Sequence, residues 1–333
     1  MTFETQDVER KTLSILKVLA GEDEPMGSIV IARKLKDLGI DLGERAVRYH
    51  LRMMDEQGLT SLAGRRDGRV ITPQGRRELK QGMVRDKVGF ALSRIELLAF
   101  RTTFDLEKRT GMVPVNITVF RRADFQRALR IMKMVMDSRL TVSKLVAVGR
   151  AGEKIGDFIV PADSIALATV CSIVVNGTLL KAGIPMDSKF GGLLQMQNGE
   201  PLRFVELIHY AGCSLDPSEI FIKAGMTSVS HTVKTGSGNI LANFREIPSI
   251  CRPIAHDVVS KLARAGINGV LLFGSVSEAV CEVSVELNRV GLVLLGGLNP
   301  VAAVEESGIQ VESHAMSTVV DYKELTGFEE LLK

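Results

Sequence analysis

A short basic segment carries the residue types best suited to binding nucleic acid. Arginine can form two parallel hydrogen bonds to a phosphate or to a guanine edge, so clustered arginines favour DNA as the partner. The first four candidates recur at helical spacing, and the last three surround Asp67-Gly68, a pair that favours a tight hairpin turn. The predicted contacts to double-stranded DNA are Arg45, Arg48, Tyr49, Arg52, Arg65, Arg66 and Arg69.

A helix starting after Gly43 and a following hairpin must position these side chains. The apolar positions of that helix, from Ala46 to Met54, lie on the face opposite the arginines, so they can rest on a core. Leu59–Ala63 and Val70–Thr72 are short strand-like runs on either side of the arginine-rich turn. A solvated charged helix beside an ordinary surface hairpin is the alternative; the order of helix and basic hairpin favours a recognition helix with its wing.

The surrounding chain completes a winged helix-turn-helix over residues 1–86. Two helices are predicted before the basic one, at 7–20 and 29–38, and another begins at Pro73. Residues 1–87 hold 17 Lys or Arg against 14 Asp or Glu, which accounts for the whole net charge of +3. The positive charge is therefore concentrated where phosphates would be bound.

A second set of candidates lies in the apolar C-terminal part and could bind a carboxylate. Arg245 is a cation in an otherwise apolar strand, and glycine-rich turns can present backbone N–H groups to an anion. The alternative for Arg245 is a pair with Glu246 or another internal acid, and Cys171 also suits a plain core position. The predicted effector contacts are Arg245, Gly191, Gly192, Thr227 and Cys171.

Motifs for catalysis, metals and cofactors are absent from the sequence. It contains no phosphate-binding loop, no dinucleotide fingerprint and no nucleophile elbow. The four cysteines are far apart, with no C-x-x-C pair and no histidine at ligand spacing. We therefore expect neither an enzyme nor a metal site. The polar N-terminus and the lack of a long apolar run predict a cytoplasmic protein without a membrane span.

The fold class expected is α+β, with an α/β regulatory domain of ferredoxin-like (plait) type after the winged helix. A capping box at Ser93–Glu96 predicts a helix through Arg109, within a helical connector at 87–112. From 113 to 333, predicted strands and helices alternate as β-α-β-β-α-β, followed by a second α/β series. The predicted elements and their bounds are a helix at Ser164–Lys181, a strand at Gly191–Gln197 closing the first series, a strand at Thr227–Lys234 and a helix at Glu278–Asn288.

A weak similarity between two parts of the sequence, an internal echo, suggests that the regulatory region is duplicated. Lys181–Ile184 and Arg264–Ile267 both end a predicted helix with a similar sequence, and Gly191-Gly192 and Gly296-Gly297 both lie in apolar strands.

The chain resembles the NrpR family, archaeal-type repressors of nitrogen assimilation and nitrogen fixation genes. The resemblance covers nearly the full length. Its regulatory stretches are specific, whereas the winged helix is shared by many regulators. The matching stretches are Arg45–Leu51 (RAVRYHL), Val174–Pro185 (VVNGTLLKAGIP), Phe190–Leu194 (FGGLL), Ser214–Phe221 (SLDPSEIF) and Ile240–Pro248 (ILANFREIP).

This resemblance implies a homodimeric repressor that binds a palindromic operator and is released by 2-oxoglutarate. Some family members carry two regulatory domains, whereas this chain has room for one. It is therefore similar to the single-domain form, for which the resemblance suggests a second NrpR-type partner lacking the DNA-binding domain. The alternatives are an α/β enzyme and a scaffold domain, either of them fused to a DNA-binding module.

Overall fold

A computed structural model describes residues 3–21, 24–37, 40–64, 68–81 and 89–332. The chain divides into one unit spanning Met1–Val88 and another spanning Gly89–Lys333, each with its own hydrophobic core. This division places the helix of the predicted connector inside the second unit. Within the described ranges, no helix combines the length and the apolar character needed to cross a bilayer.

The first unit has the element order of a winged helix, as predicted. Its helices pack through fully buried side chains, among them Ile15, Ile31 and Val47. The two strands pair antiparallel, with Thr60 opposite Ile71. The elements are α1 (Phe3–Ala20), α2 (Ser28–Asp37), α3 (Glu44–Glu56), β1 (Thr60–Gly64), β2 (Gly68–Ile71) and α4 (Pro73–Gln81).

Glycines delimit α3 as the sequence predicted. Gly43 is the N-cap and has extended backbone angles, but it offers no side chain to the first turn. Gly58 lies just past the C-cap with φ of 71°, a left-handed conformation that glycine adopts without strain. The helix therefore stops in time for the chain to enter β1.

The second unit contains two five-stranded antiparallel sheets and their helices. Its elements are α5 (Phe90–Arg101), β3 (Met112–Arg121), α6 (Phe125–Met136), β4 (Leu145–Arg150), β5 (Lys154–Ile155), β6 (Phe158–Ile159), β7 (Ser164–Val170), α7 (Ile173–Lys181), β8 (Asp187–Gln197), β9 (Glu200–His209), α8 (Pro217–Lys223), α9 (Val229–Thr235), β10 (Gly238–Pro248), α10 (Arg252–Arg264), β11 (Val270–Val276), β12 (Arg289–Leu295), α11 (Asn299–Glu306), β13 (Glu312–Asp321) and β14 (Thr326–Gly327).

Two copies of the plait pattern follow one another in this unit. The first is β3-α6-β4-β7-α7-β8 and the second is β10-α10-β11-β12-α11-β13. In each copy the third strand lies between the first two, antiparallel to both, which is the split βαβ arrangement. The predicted β-α-β-β-α-β order is therefore confirmed, and the second α/β series repeats it.

The final strand of each copy lies in the sheet of the other copy. The sheet orders are β13-β3-β7-β4-β14 and β11-β12-β10-β8-β9. The strand predicted at Gly191–Gln197, part of β8, thus pairs with β10 and does not close the first sheet. Because of this exchange, side chains from both sheets form one continuous core.

The equivalent positions of the two copies differ from those suggested by the sequence echo. Lys181–Ile184 follows the second helix of its copy, whereas Arg264–Ile267 follows the first helix. The strand register instead relates Asn116 to Asn243. Each asparagine lies on the first strand of its copy, opposite the penultimate residue of the third strand.

The predicted helix at Ser164–Lys181 is wrong in its first half. Residues Ser164–Val170 form the central strand β7, and α7 starts only at Ile173. Most of β7 is buried, so its apolar run lacks the alternation that marks a half-exposed strand. Periodicity alone could not distinguish it from a buried helix.

The predicted strand at Thr227–Lys234 is also wrong, because Val229–Thr235 is the helix α9. Its β-branched residues favour a strand locally. However, the carboxylate of Glu306 accepts hydrogen bonds from the N–H groups of Val229 and Ser230, at 2.7 and 2.8 Å. A residue distant in sequence therefore caps the first turn.

Two other predicted helices are also wrong, one entirely and one in its extent. Glu278–Asn288 is irregular, and it includes the left-handed residues Cys281, Glu282 and Asn288, which no helix can contain. The helix predicted to start at Ser93 begins three residues earlier at Phe90, after the left-handed Gly89, and ends at Arg101. Ser93 and Glu96 therefore lie inside the helix and do not form a capping box at its start.

Candidate nucleic-acid interface and effector site

The outer face of α3 exposes the four residues predicted for DNA. Arg45, Arg48, Tyr49 and Arg52 are all exposed, and 62% of the Tyr49 surface is accessible. The opposite face is buried through Val47, His50, Leu51 and Met54. Arg48 pairs with Glu44 and Arg52 with Glu56 along the helix surface, contacts that solvent screens and that phosphates can replace.

Arg69 is positioned differently from the other arginines. Its side chain is only 20% exposed, and its Nε donates a 2.7 Å hydrogen bond to Asp55 near the end of α3. The same carboxylate accepts from the Thr60 hydroxyl at 2.6 Å, and the backbone of Arg69 pairs with Met26. We therefore infer that Arg69 stabilises the wing and does not make the expected phosphate contact. Arg65 and Arg66 lie outside the described residues.

Arg245 is the most deeply buried cation of the second unit. It is 1% exposed, in the middle of β10, and its guanidinium lies 4.7 Å from the centre of the Tyr210 ring. Its Nη1 donates to the backbone oxygen of Phe244 at 3.2 Å, and its Nε has no hydrogen-bond partner in the described structure. The alternative pairing with Glu246 is wrong, because that carboxylate accepts from Arg289 instead.

A cavity beside Arg245 lies where the two plait copies meet. The volume that the centre of a water molecule can occupy in it is about 20 Å³. That is little more than one water needs, roughly 10–15 Å³ on the same scale. Both equivalent asparagines line it, so the two copies build one shared site. Its lining is Asn116, Cys171, Ser172, Ile173, Tyr210, Asp216, Ser218, Asn243, Arg245, Gly297, Leu298, Ala315 and Met316.

The two asparagines differ in how completely they are hydrogen-bonded. Asn243 accepts from the Tyr210 hydroxyl at 2.5 Å and donates to Ser172 at 3.2 Å. Asn116 accepts from the N–H of Met316 at 3.0 Å, but its Nδ2 has no partner in the described structure. The cavity walls thus contain two unpartnered buried donors, Asn116 Nδ2 and Arg245 Nε. Such donors favour an acceptor-rich guest such as a carboxylate.

Burial also sets the protonation of the acids at this cavity. Desolvation raises the pKa of Asp216, although the side chain and backbone of Ser218 and the charge of Arg245 oppose the shift. Burial raises the pKa of Tyr210 well above its usual value and that of Cys171 to about 12. The phenol and the thiol therefore stay neutral, and Arg245 is left as the lasting positive charge.

Only part of the predicted effector set lies together. Arg245 and Cys171 line the cavity, and Gly191 lies behind it, where an added Cβ would meet Tyr210 and Pro217 at 2.9 Å. Gly192 instead packs against Phe204 and Glu206. The hydroxyl of Thr227 donates to Glu306 at 2.8 Å in another part of the fold. Gly192 and Thr227 are therefore removed from the candidate site.

Sequence reasoning missed several residues that line the cavity. Asn116 and Asn243 are polar residues inside apolar strands, the same signal that identified Arg245. Asp216 precedes Pro217 and caps α8 by accepting from the N–H of Ser218 at 2.8 Å, a pattern readable from sequence. Tyr210 and Met316 gave no local signal.

A cluster of acids near the start of β8 encloses a lysine. Asp187, Glu246 and Glu286 could together hold a metal ion, but the Nζ of Lys189 lies 2.8, 3.5 and 2.7 Å from them. Partial burial opposes the charge of Lys189, yet hydrogen bonds to Asp187 and Glu286 prevail and raise its pKa. Arg289 adds a second cation. These side chains form an internal ion-pair network.

Comparison with known families matches both units. The family described as "NrpR regulatory domains NRD1 and 2" matches residues 88–327. The family described as "Ribonuclease R winged-helix domain" matches residues 13–79.

Similar proteins cover nearly the whole chain. A protein named "Global nitrogen regulator NrpRI" from Methanosarcina mazei is 39% identical over 316 residues, which span 95% of this chain and 97% of that relative. Proteins named "Global nitrogen regulator NrpR" from Methanococcus maripaludis and Methanocaldococcus jannaschii are 31% and 32% identical. The matches to these two cover 96% of this chain but only 56% and 55% of the longer relatives.

A solved structure has a similar fold. It is described as a nitrogen repressor-like protein from Methanococcus jannaschii, and it superposes with a TM-score of 0.61 at 26% sequence identity. The match covers 72% of this chain and 98% of that structure.

Proposed function

Because this chain belongs to the NrpR family of nitrogen regulators, we propose that it represses nitrogen assimilation and nitrogen fixation genes and leaves its operator when 2-oxoglutarate binds. The family consists of regulators with a DNA-binding winged helix, so the chain is a nitrogen-gene regulator and not an enzyme. The enzyme alternative is thereby rejected. The operator, the effector and the assembly are the proposed parts.

The observation that carries the effector proposal is the incomplete pairing of Arg245. A buried guanidinium normally makes several hydrogen bonds, since leaving a buried charge unmatched is costly. Arg245 donates to the Phe244 backbone, contacts Tyr210 and interacts electrostatically with Asp216, yet its Nε has no hydrogen-bond partner in the described structure, and neither has the nearby Asn116 Nδ2. A dicarboxylate would supply acceptors to both donors. 2-Oxoglutarate is such a molecule, and its level reports nitrogen limitation.

The DNA side of the proposal rests on α3. Its four exposed residues can enter a major groove while the buried face holds the helix in its unit. Because the described chain carries one such helix, a palindromic operator requires two copies of the protein. We therefore propose a homodimer with its recognition helices about 34 Å apart, one turn of DNA.

A second NrpR-type protein is a further part of the proposal. The chain spans just over half of the two longer relatives. A separate protein without a DNA-binding domain would take the place of the part of those relatives that this chain does not match. Sedimentation of the purified chain, alone and with candidate partners, would test both the homodimer and the mixed assembly.

The effector proposal is tested by measuring operator affinity at increasing 2-oxoglutarate. A duplex selected from a random pool by the full-length protein serves as the operator, and binding is followed by fluorescence anisotropy. We expect 2-oxoglutarate to weaken binding by roughly 5- to 150-fold, the usual range of coupling between two sites. Succinate and glutamate serve as the comparison ligands. Operator affinity that is unchanged at saturating 2-oxoglutarate would reject the proposal and favour a ligand-insensitive scaffold.

Arg245→Met locates the effector site. Methionine fills similar space without charge, so we expect the variant to bind operator and to lose its response to 2-oxoglutarate. Arg203→Met is the matched control, because the exposed Arg203 lies on β9 of the same sheet and hydrogen-bonds to Gln195. A normal response in Arg245→Met, or loss of operator binding with unchanged affinity for 2-oxoglutarate in calorimetry, would assign Arg245 a structural role.

A further inference from the structure

The cavity beside Arg245 is too small for the effector as it stands. Its volume of about 20 Å³ suits one water molecule, whereas sites for small organic ligands usually reach roughly 300 Å³ or more. A dicarboxylate can enter only if a wall of the cavity moves. The identity of that wall determines which element responds to the ligand.

Two wall segments lie outside both the regular sheet ladders and the starts of helices α7 and α11. One is Tyr210–Ser218, a short 3-10 helix followed by the turn into α8. The other is Ala315–Ser317, where the pairing of β13 with β3 is interrupted between His314 and Thr318. Met316 in this second segment is buried and left-handed, with φ of 50°. The remaining walls belong to paired strands and to the helix starts behind them, so these two segments are the ones able to yield.

A hydrogen bond ties the two yielding segments together. The N–H of Ala315 donates to Glu219 at 2.6 Å, and Glu219 lies in the first turn of α8, shortly after Asp216. A displacement of either segment therefore acts on the other.

Helix α5 is attached to both segments. The N–H of Ala91 donates to the backbone oxygen of Cys213 at 3.2 Å. Arg94 donates to the backbone oxygens of Met316 and Ser317, the second at 2.7 Å. The buried face of α5 shares a hydrophobic cluster with Cys171, Tyr210 and Met316 of the cavity wall. No other described helix combines all of these links.

We propose that Arg94 is the positioning residue through which occupation of the Arg245 cavity moves α5, the first described element after the winged-helix unit in the chain. The proposal rests on the proposed function, since it takes the cavity as the effector site. Arg94 touches the wall and not the ligand. Its two carbonyl contacts transmit displacement of Ala315–Ser317 to the helix.

The variant that tests this role is Arg94→Met, which keeps the apolar stem and removes both hydrogen bonds. We expect it to bind 2-oxoglutarate with affinity close to that of wild type, measured by calorimetry, and to bind operator. The loss of operator affinity caused by 2-oxoglutarate should fall to about twofold or less, from the roughly 5- to 150-fold range typical of coupled sites. Arg121→Met is the matched control, because Arg121 pairs with Asp124 on the surface at the end of β3.

Hydrogen exchange on the wild-type chain gives a second measurement that needs no variant. Adding 2-oxoglutarate should change amide exchange in 90–101 and 315–317. An Arg94→Met chain whose ligand response matches wild type would overturn the proposal, as would loss of 2-oxoglutarate binding in that variant or unchanged exchange in α5. A wild-type chain that neither binds 2-oxoglutarate nor releases operator would instead reject the proposed function.

Discussion

At the scale of single residues, Arg245 was predictable and its surroundings were not. A cation in the mostly apolar run from Ile240 to Ile247 stands out in the sequence. Tyr210, Asp216 and Met316 reach the same cavity from segments that are distant in the chain, so their meeting depends on tertiary packing. Local patterns contain no record of such contacts, which is why Gly192 and Thr227 were wrongly grouped with Arg245.

Asp216 gives a residue-scale prediction about pH. Burial raises its pKa in the native chain above the ordinary value. The stability contributed by protonated Asp216 is therefore fully present below the pKa that the residue has in the unfolded state. It is lost as pH rises through the higher pKa that the residue has in the native state. We expect Asp216→Asn, which stays neutral and can still cap α8, to gain stability relative to wild type as pH rises above the unfolded-state pKa of about 4. Urea denaturation across that range measures the difference.

Asp105→Asn is the control of opposite sign. A hydrogen bond from the backbone N–H of Lys108, the largest influence, lowers the pKa of the exposed Asp105 in the native chain. The stability contributed by ionised Asp105 is present above its unfolded-state pKa and disappears as pH falls through its lower native pKa. Asp105→Asn should therefore lose stability relative to wild type as pH rises. Parallel stability curves for Asp216→Asn and wild type would contradict the effect of burial at Asp216.

At the scale of elements, the helix and wing of the first unit were predicted well because their signals are local. A helix with one apolar face and a hairpin with a glycine turn need no distant partner to be recognised. The strand at Thr227–Lys234 failed for the opposite reason, since Glu306 caps α9 from far along the chain. Buried strands such as β7 failed because they lack alternation.

The wing gives an element-scale prediction that separates anchoring from DNA contact. Arg69→Met removes a largely buried ion pair with Asp55, so we expect it to destabilise the first unit by about 1 kcal/mol. Arg52→Met removes an exposed pair with Glu56, so it should leave stability unchanged but reduce the salt dependence of operator binding by about one phosphate contact. Thermal unfolding and salt titrations distinguish the two. A lowered salt slope without destabilisation in Arg69→Met would restore Arg69 as a phosphate contact.

Helix α9 gives a second prediction at this scale. Glu306→Ala removes the acceptor for Val229, Ser230 and Thr227, so we expect a loss of about 1 kcal/mol, typical of a lost helix cap. Urea unfolding measures this loss, and the exposed Glu278→Ala serves as control. The response to 2-oxoglutarate should be normal in both variants. A lost response in Glu306→Ala would return Thr227 to the effector site.

At the scale of the whole molecule, the exchange of β8 and β13 between the two plait copies could not be predicted from sequence. Each strand has the same local pattern whether it pairs within its own copy or with the other. The weak sequence echo suggested a duplication, but it related residues that are not equivalent in the fold. The correspondence of Asn116 and Asn243 required the strand register.

The exchange predicts that neither copy folds alone. The second unit expressed from Gly89 without the winged-helix unit and cut at Gly225, between α8 and α9, gives one fragment with β3 to β9 and another with β10 to β14. Each fragment lacks a strand that its own sheet needs, so we expect separate fragments to have little regular structure in circular dichroism. Mixing them should restore the native spectrum. A fragment that shows a cooperative unfolding transition by itself would contradict this dependence.

The long separation of β3 and β13 along the chain also has a consequence for synthesis on the ribosome. The unpaired side of β3 stays open until residues 312–321 have been translated and have left the exit tunnel. Exposed strand edges are sites of unwanted association between chains. A newly made chain therefore keeps this edge of β3 open to association with other chains until β13 has paired with it.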